Sequence, residues 1–192
     1  KFLIQALPIS RNLKLHSTTA TTLSDIGRVH YAQGNHNKAL GFFKEAMTID
    51  KKLGRRSTWA ASHTNIGLCY EALGEFEQAL VQFKAALELD TKIGKQAAIA
   101  RDLSHIGLIY FNWGQFDAAL DNFKQAMAIA TKLNLKAKIA LNLNNIGSVL
   151  RERGHYDQAL AHFKKALEID RAIGRTGETA NDYNNIGLAY LS

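Results

Sequence analysis

The chain has 192 residues, 46% of them hydrophobic, with one cysteine and a formal net charge of +7. Its length and composition suit one domain with a sizeable core, and no apolar run approaches the roughly 20 residues of a membrane-spanning helix. The positive charges are interspersed with acidic residues, which argues against a nucleic-acid surface. The lone Cys69 cannot form an internal disulfide, and this favours a reducing, cytoplasmic setting.

Helical elements are predicted along the whole chain, and they recur with a period of forty residues. A repeated Ile-Gly pair sets the period, at Ile26-Gly27, Ile66-Gly67, Ile106-Gly107, Ile146-Gly147 and Ile186-Gly187. A repeated Phe-Lys pair keeps the same spacing, at Phe43-Lys44, Phe83-Lys84, Phe123-Lys124 and Phe163-Lys164. Such self-similarity is typical of a repeat protein, in which each unit buries its apolar face against the next.

These positions divide the chain into repeats. Residues 1–19 match the end of a preceding repeat, and residues 180–192 match the first helix of a following one. The complete repeats between them are 20–59, 60–99, 100–139 and 140–179. We therefore expect a single solenoid fragment whose uncapped ends favour weak end-to-end self-association.

Each repeat contains two helical stripes separated by a short turn, as the second repeat illustrates. The first stripe has residues three and four apart, at Ile66, Gly67, Tyr70 and Leu73. Gly74 interrupts it, and a second stripe runs over 76–93. Gly94 follows this stripe, at the place just past a helix C-terminus where a left-handed backbone conformation is favoured. The same place is held in the other repeats by Gly54, Asn134 and Gly174.

The glycine of each Ile-Gly pair predicts that the two helices of a repeat approach closely, because glycine has no side chain. We expect leucine in place of Gly107 to overpack this contact. Alanine should be much milder there, because it adds one carbon and favours the helix.

Counting Ala60 as position one brings out a known pattern. Positions 4, 7, 8, 11, 20, 24, 27 and 32 hold His63, Ile66, Gly67, Tyr70, Ala79, Phe83, Ala86 and Thr91. This pattern resembles the tetratricopeptide repeat (TPR) family over nearly the whole chain, and its forty-residue form is similar to Pins/LGN, kinesin light chain and bacterial signalling arrays. The family's proline at position 32 is absent from all four repeats. The resemblance implies an all-α, right-handed superhelical solenoid of antiparallel helix pairs.

The resemblance also implies a concave groove lined by the first helix of each repeat. Position 5, here named row five, holds Ser24, Thr64, Ser104, Asn144 and Asn184. Position 6, named row six, holds Asp25, Asn65, His105, Asn145 and Asn185. We expect a peptide-binding groove formed by Arg28, Asn65, Leu68, Arg101, His105, Leu108, Phe111, Asn144, Asn145 and Arg151. Side-chain amides can pair with both backbone groups of an extended peptide, and the arginines favour an acidic ligand.

No motif predicts catalysis, a metal site or a cofactor. None of the seven histidines belongs to a His-Glu-x-x-His motif, and Cys69 aligns with Val29, Ile109 and Val149, as a small buried hydrophobe would. The carboxylate clamp of some family members, which holds a partner's C-terminus, is matched only at Asn65, with Arg101 as a basic replacement.

We therefore predict a protein–protein interaction scaffold that binds a peptide or helix of a partner protein. It is predicted not to be an enzyme, to need no cofactor, and to bind neither nucleic acid nor a membrane. The alternative is a regulatory sensor segment of a larger signalling protein, which binds an internal segment or a signal peptide. A hydrolase or transferase is a third alternative, and no motif favours it.

Overall fold

The structure, a computed structural model, describes residues 2–191, and this part of the chain contains helices and turns without any strand. The helices are α1 (Phe2–Asn12), α2 (His16–Ala32), α3 (His36–Lys52), α4 (Arg56–Ala72), α5 (Phe76–Ile93), α6 (Gln96–Asn112), α7 (Phe116–Lys132), α8 (Lys136–Glu152), α9 (Tyr156–Ala172) and α10 (Thr176–Leu191). Lys1 and Ser192, the outermost residues of the predicted partial repeats, lie outside the described residues.

The chain divides into two compact units, one ending at Lys95 and one beginning at Gln96. In the first unit α2 pairs with α3 and α4 with α5, while α1 packs on α2 and α3 on α4. In the second unit α6 pairs with α7 and α8 with α9, and α10 packs on α9. Each pair is a helical hairpin closed by a short turn. The predicted all-α fold of repeated antiparallel helix pairs is confirmed.

Glycines end the helices as the sequence predicts. Gly94 follows α5 with a left-handed φ of +79°, and the amide of Lys95 donates to the carbonyl of Asp90 at 2.9 Å. This bond back across the last turn is the usual helix-ending arrangement. Asn134 takes the same conformation, with φ +51°, because asparagine tolerates a left-handed backbone better than most residues.

The glycine of each Ile-Gly pair lies against the phenylalanine of the second helix. A β-carbon added at Gly107 would lie 2.6 Å from Cε1 of Phe123, and the same contact recurs in the other complete repeats. The Phe123 ring is buried, so it has little room to move. The expectation that alanine is mild at Gly107 is therefore wrong, since even one added carbon overpacks the contact.

Buried acidic residues near the ends of the second helices pair with an arginine just before the helix that follows. Asp50 at the end of α3 lies 3.3 Å from the guanidinium of Arg55, and Asp170 at the end of α9 lies 3.1 Å from that of Arg175. In the third repeat the corresponding residues are Ala130 and Leu135. The charged pair is thus replaced as a unit by an apolar pair, which leaves no buried charge unmatched.

Candidate peptide-binding surface

The first helices of the first unit, α2 and α4, enclose two adjoining cavities. One, of about 190 Å³, includes Ser24, Asp25, Arg28 and Asn65 in its walls. The other, of about 240 Å³, is lined by Arg28, Tyr31, Phe43, Asn65 and Leu68. Three residues of the predicted groove, Arg28, Asn65 and Leu68, therefore line the second cavity. Arg28 and Asn65 also line the first cavity.

The polar groups of this surface differ in how strongly they are engaged. The Arg28 side chain is 69% exposed and contacts the Asp25 carboxylate at 2.6 Å, an arrangement that contributes little to stability in water. Asn65 is half-buried, and its amide makes no hydrogen bond within residues 2–191. Both groups can therefore turn to a ligand at small cost.

Aromatic and aliphatic side chains, Tyr31, Phe43 and Leu68, form part of the wall of the second cavity. Burial raises the pKa of Glu71. Burial likewise raises the pKa of Tyr31, with smaller contributions from Glu71 and Cys69. The Tyr31 ring meets His36 edge to face, with 5.1 Å between the ring centroids. This environment suits an apolar side chain beside Leu68.

In the second unit, cations from two first helices surround one buried carboxylate. Arg101 of α6 contacts Asp102 at 2.9 Å, and Asp102 is fully buried. Burial lowers the pKa of Lys138 on α8, nearby Arg101 lowers it further, and Asp102 raises it. Burial, Arg101 and Lys138 together lower the pKa of His105 to about 4, so its imidazole is neutral at pH 7.

Asp102 and Lys138 were absent from the sequence prediction. A signal for Asp102 was available, because the residue two positions before row five is polar in every repeat. This buried polar row consists of Thr22, Ser62, Asp102, Asn142 and Asp182. Polar residues that recur at a buried position indicate hydrogen bonding between repeats.

The remaining apolar and basic predictions fall in separate surroundings within the second unit. Leu108 and Phe111 are half-buried and pack around the core of Phe123, with the Phe111 ring 5.9 Å from the Phe116 ring. Arg151 contacts the neighbouring Glu152 at 3.0 Å. These residues expose only part of their side chains to a ligand.

Two members of row five are buried rather than exposed on an open surface. Thr64 and Ser104 are buried, and the Ser104 hydroxyl lies 2.8 Å from the Ala100 carbonyl and 3.0 Å from Asn142 Oδ1. The expectation that these two residues line the groove is wrong, because their hydroxyls are used within the fold. Asn144 donates from Nδ2 to the buried Asp182 at 2.5 Å, so this predicted site residue joins α8 to α10.

Asn145 in row six has a different environment from Asn144. The side chain is half-buried, and its buried Nδ2 has no hydrogen-bond partner among the described residues. An unsatisfied buried amide is costly. A ligand or a water molecule that accepts this hydrogen bond would therefore be stabilised there.

No metal or membrane element is found in the part of the chain that the structure describes. Residues 2–191 contain no group of three histidine, cysteine, aspartate or glutamate side chains that could hold a metal ion. Within the same range no helix has the length and hydropathy of a membrane span. Cys69 is buried as predicted, and burial raises the pKa of its thiol to about 11.

The repeat geometry agrees with comparison to known proteins. The model of the tetratricopeptide repeat family matches residues 1–52, 59–132 and 138–192. The chain belongs to the tetratricopeptide repeat family. This fold generally mediates protein–protein interaction and is generally a non-catalytic scaffold. No curated protein matches the TPR chain in sequence.

Solved structures share the TPR fold at low sequence identity. BtubC from P. vanneervenii has a TM-score of 0.83 at 16% identity, covering 98% of this chain and 78% of that one. Aspartyl phosphate phosphatase F from Bacillus subtilis has a TM-score of 0.85 at 17% identity, covering 91% of this chain and 46% of that one. A signal transduction ATPase with a tetratricopeptide repeat sensor, from Pyrococcus horikoshii, has a TM-score of 0.80 at 17% identity and coverages of 92% and 28%. The chain spans less than half of the last two proteins, and these likenesses show the fold alone.

Proposed function

We propose that this TPR chain is an interaction module that binds an extended segment of a partner protein on the exposed faces of its first helices. The observation that carries the proposal is the pair of adjoining cavities between α2 and α4, both lined by Arg28 and Asn65. Few pockets in a protein combine apolar walls with a small number of converging polar groups, and those that do are the first candidates for binding.

Each side chain of this surface has a distinct role in the proposed complex. The Asn65 amide donates to and accepts from the peptide backbone. Leu68 and Tyr31 contact an apolar side chain of the ligand in the second cavity. Arg28 exchanges its exposed contact with Asp25 for a ligand carboxylate, which it can bind through two parallel hydrogen bonds.

A second contact surface on the other unit favours the same ligand charge. Arg101 and Lys138 bring two positive charges close to the Asp102 carboxylate, while His105 is neutral at pH 7. Positive charge on this surface attracts acidic segments and repels basic ones. Asn145 contributes an amide donor on the adjacent helix.

Affinity capture tests this proposal. Immobilised chain is incubated with a cell lysate, and the captured proteins are quantified by mass spectrometry for wild type, Asn65→Ala with Asn145→Ala, and Lys124→Ala as the matched surface control. We expect the double variant to capture less of the partner, because its binding free energy is weakened by about 1–3 kcal/mol. Its melting temperature should be nearly unchanged. If Lys124→Ala lost the captured partner and the asparagine double variant kept it, the partner would lie on the second helices.

The alternative function, a sensor segment of a larger signalling protein, has one observation in its favour. The structurally similar ATPase from Pyrococcus horikoshii carries a tetratricopeptide repeat sensor. In that case the same surface would bind an internal segment or a signal peptide. Sequencing the complete gene tests this, because an adjoining catalytic or DNA-binding domain is expected. The cytoplasmic setting, inferred from cysteine usage alone, stays a prediction.

A further inference from the structure

A separate cleft in the first unit contains Trp59. It has a volume of about 350 Å³ and lies between the first half of α4 and the second half of α5. Its walls include Arg56, Trp59, His63, Leu89 and Lys92. None of these residues lines either cavity of the proposed peptide-binding surface.

The cleft faces away from the proposed peptide-binding surface. Leu68, which lines that surface, follows Trp59 by nine residues on the same helix. Nine residues correspond to about two and a half turns of an α-helix, which places the two side chains on opposite sides. A ligand in the Trp59 cleft would therefore leave Asn65 accessible.

The aromatic lining of this cleft is an exception among the repeats. The positions equivalent to Trp59 hold Thr19, Ile99, Ile139 and Thr179. On α8, Ile139 packs against the core cluster that contains Leu143 and Ala166. On α4, Trp59 stands in the place of Ile139 and His63 in that of Leu143, with ring centroids 5.9 Å apart. His63 Nδ1 lies 2.8 Å from Gln82 Oε1, so this imidazole is held in place.

The charge around Trp59 is positive and largely unopposed. The Lys51 ammonium lies 5.5 Å from the centroid of the Trp59 ring. Neither Lys51 nor Arg56 has an ion-pair partner within residues 2–191. The carboxylate in the lining, Glu88, is neutralised by Lys92 at 2.5 Å. The cleft therefore combines an aromatic face with one available cation, Arg56, whereas Lys51 contacts the Trp59 ring without belonging to the walls of the cleft.

We propose that the Trp59 cleft is a second binding site, which takes an acidic segment of a partner protein carrying an aromatic side chain. The ligand ring packs against Trp59, where aromatic pairs gain more than their buried area alone provides. Carboxylates beside that ring pair with Arg56. A single-stranded nucleic acid fits less well, because such ligands use several stacking rings along a basic channel, and this cleft has one tryptophan.

Two-dimensional NMR of the indole N–H groups tests the site, because the chain has two tryptophans, Trp59 and Trp113. The probe is a synthetic peptide, Asp-Glu-Phe-Glu-Asp, blocked at both ends. We expect a saturable shift of the Trp59 indole signal and none of Trp113. Trp59→Ile, which introduces the residue found at the equivalent Ile99, should weaken binding about tenfold or more. Trp113→Leu, matched to Leu73, should leave binding unchanged.

Further variants separate this site from the proposed peptide-binding surface. Arg56→Gln, matched to Gln96, should weaken the peptide several-fold, whereas Asn65→Ala should have no effect. The inference is overturned if the Trp59 signal stays unshifted at saturating peptide, or if Trp59→Ile binds as wild type does. It is also overturned if the probe with alanine for phenylalanine binds equally, if Asn65→Ala abolishes binding, or if oligouridylate binds more tightly than the peptide.

Discussion

Helices α8 and α10 carry the same four residues, Asn-Asn-Ile-Gly, at 144–147 and 184–187, in different surroundings. A β-carbon at Gly147 would lie 2.6 Å from Phe163, whereas one at Gly187 would meet nothing within 4 Å. Asn144 bonds to a buried carboxylate, whereas Asn184 is exposed. The glycine and the first asparagine of this motif are therefore packed in α8 and exposed in α10, because the neighbouring helix decides their role.

Alanine at the two glycines gives the largest expected difference between these helices. Gly147→Ala forces the added carbon against the buried Phe163 ring, and we expect a loss of about 3 kcal/mol of unfolding free energy. Gly187→Ala should be neutral or stabilise by up to about 1 kcal/mol through helix propensity. Urea unfolding of both variants measures this, and equal effects would remove the steric basis of the comparison.

Alanine at the first asparagine of each motif gives the next largest difference. Asn144→Ala removes the donor to the buried Asp182, and an unsatisfied buried carboxylate oxygen should cost about 2 kcal/mol of stability. Asn184→Ala, on the exposed face of α10, should change stability by no more than about 0.5 kcal/mol. Thermal melts of the two variants distinguish them. An unchanged melting temperature for Asn144→Ala would show that the hydrogen bond between Asn144 and Asp182 contributes nothing to stability.

The comparison extends to row six of α6, where a histidine replaces the asparagine. The His105 pKa is about 4 in the folded chain and near its ordinary 6.5 when unfolded. The unfolded chain therefore binds the proton first, and stability falls as the pH drops from 6.5 towards 4. When the pH is lowered from 7 to 4.5, the unfolding free energy of wild type should fall by on the order of 1–2 kcal/mol more than that of His105→Asn. Parallel pH dependences in urea titrations would contradict the buried, neutral imidazole.

The exposed face of α10 gives the smallest expected effect. Tyr183 is 54% exposed, and exposed apolar faces of repeat proteins favour association. We expect weak, concentration-dependent self-association in sedimentation equilibrium, reduced by Tyr183→Ser. Monomeric behaviour of wild type at the highest concentrations would exclude this contact.

The repeat pattern predicts the helices and the contact between the two helices of a repeat well. Glycine, alanine and phenylalanine recur there because close packing tolerates only one side-chain size at each position. Gly107 was predicted to lie where the two helices of its repeat approach closely, and it does so against Phe123 of the second helix. The surface was harder to predict, since Ser, Thr and Asn serve equally as exposed ligand contacts or as buried hydrogen-bonding groups. Row five illustrates this, because Ser104 bonds inside the fold while Ser24 lines a cavity.

Charged residues were hard to place for a related reason. Arg28 and Arg101 occupy different positions of their repeats, and both were predicted as ligand contacts. Arg28 is largely exposed beside Asp25, whereas Arg101 contacts the fully buried Asp102. Both carboxylates are close in sequence to their arginine, and the two pairs differ in burial, which follows from the packing rather than from local sequence.

Site-specific photo-crosslinking of a captured partner tests the central claim most directly, namely that the partner lies on the first helices. A photoreactive amino acid replaces Thr21, which lines the first cavity, or Lys124, which is exposed on α7. The account predicts covalent capture of the partner from position 21 and none from position 124. Capture from position 124 alone would contradict it and place the interaction on the second helices.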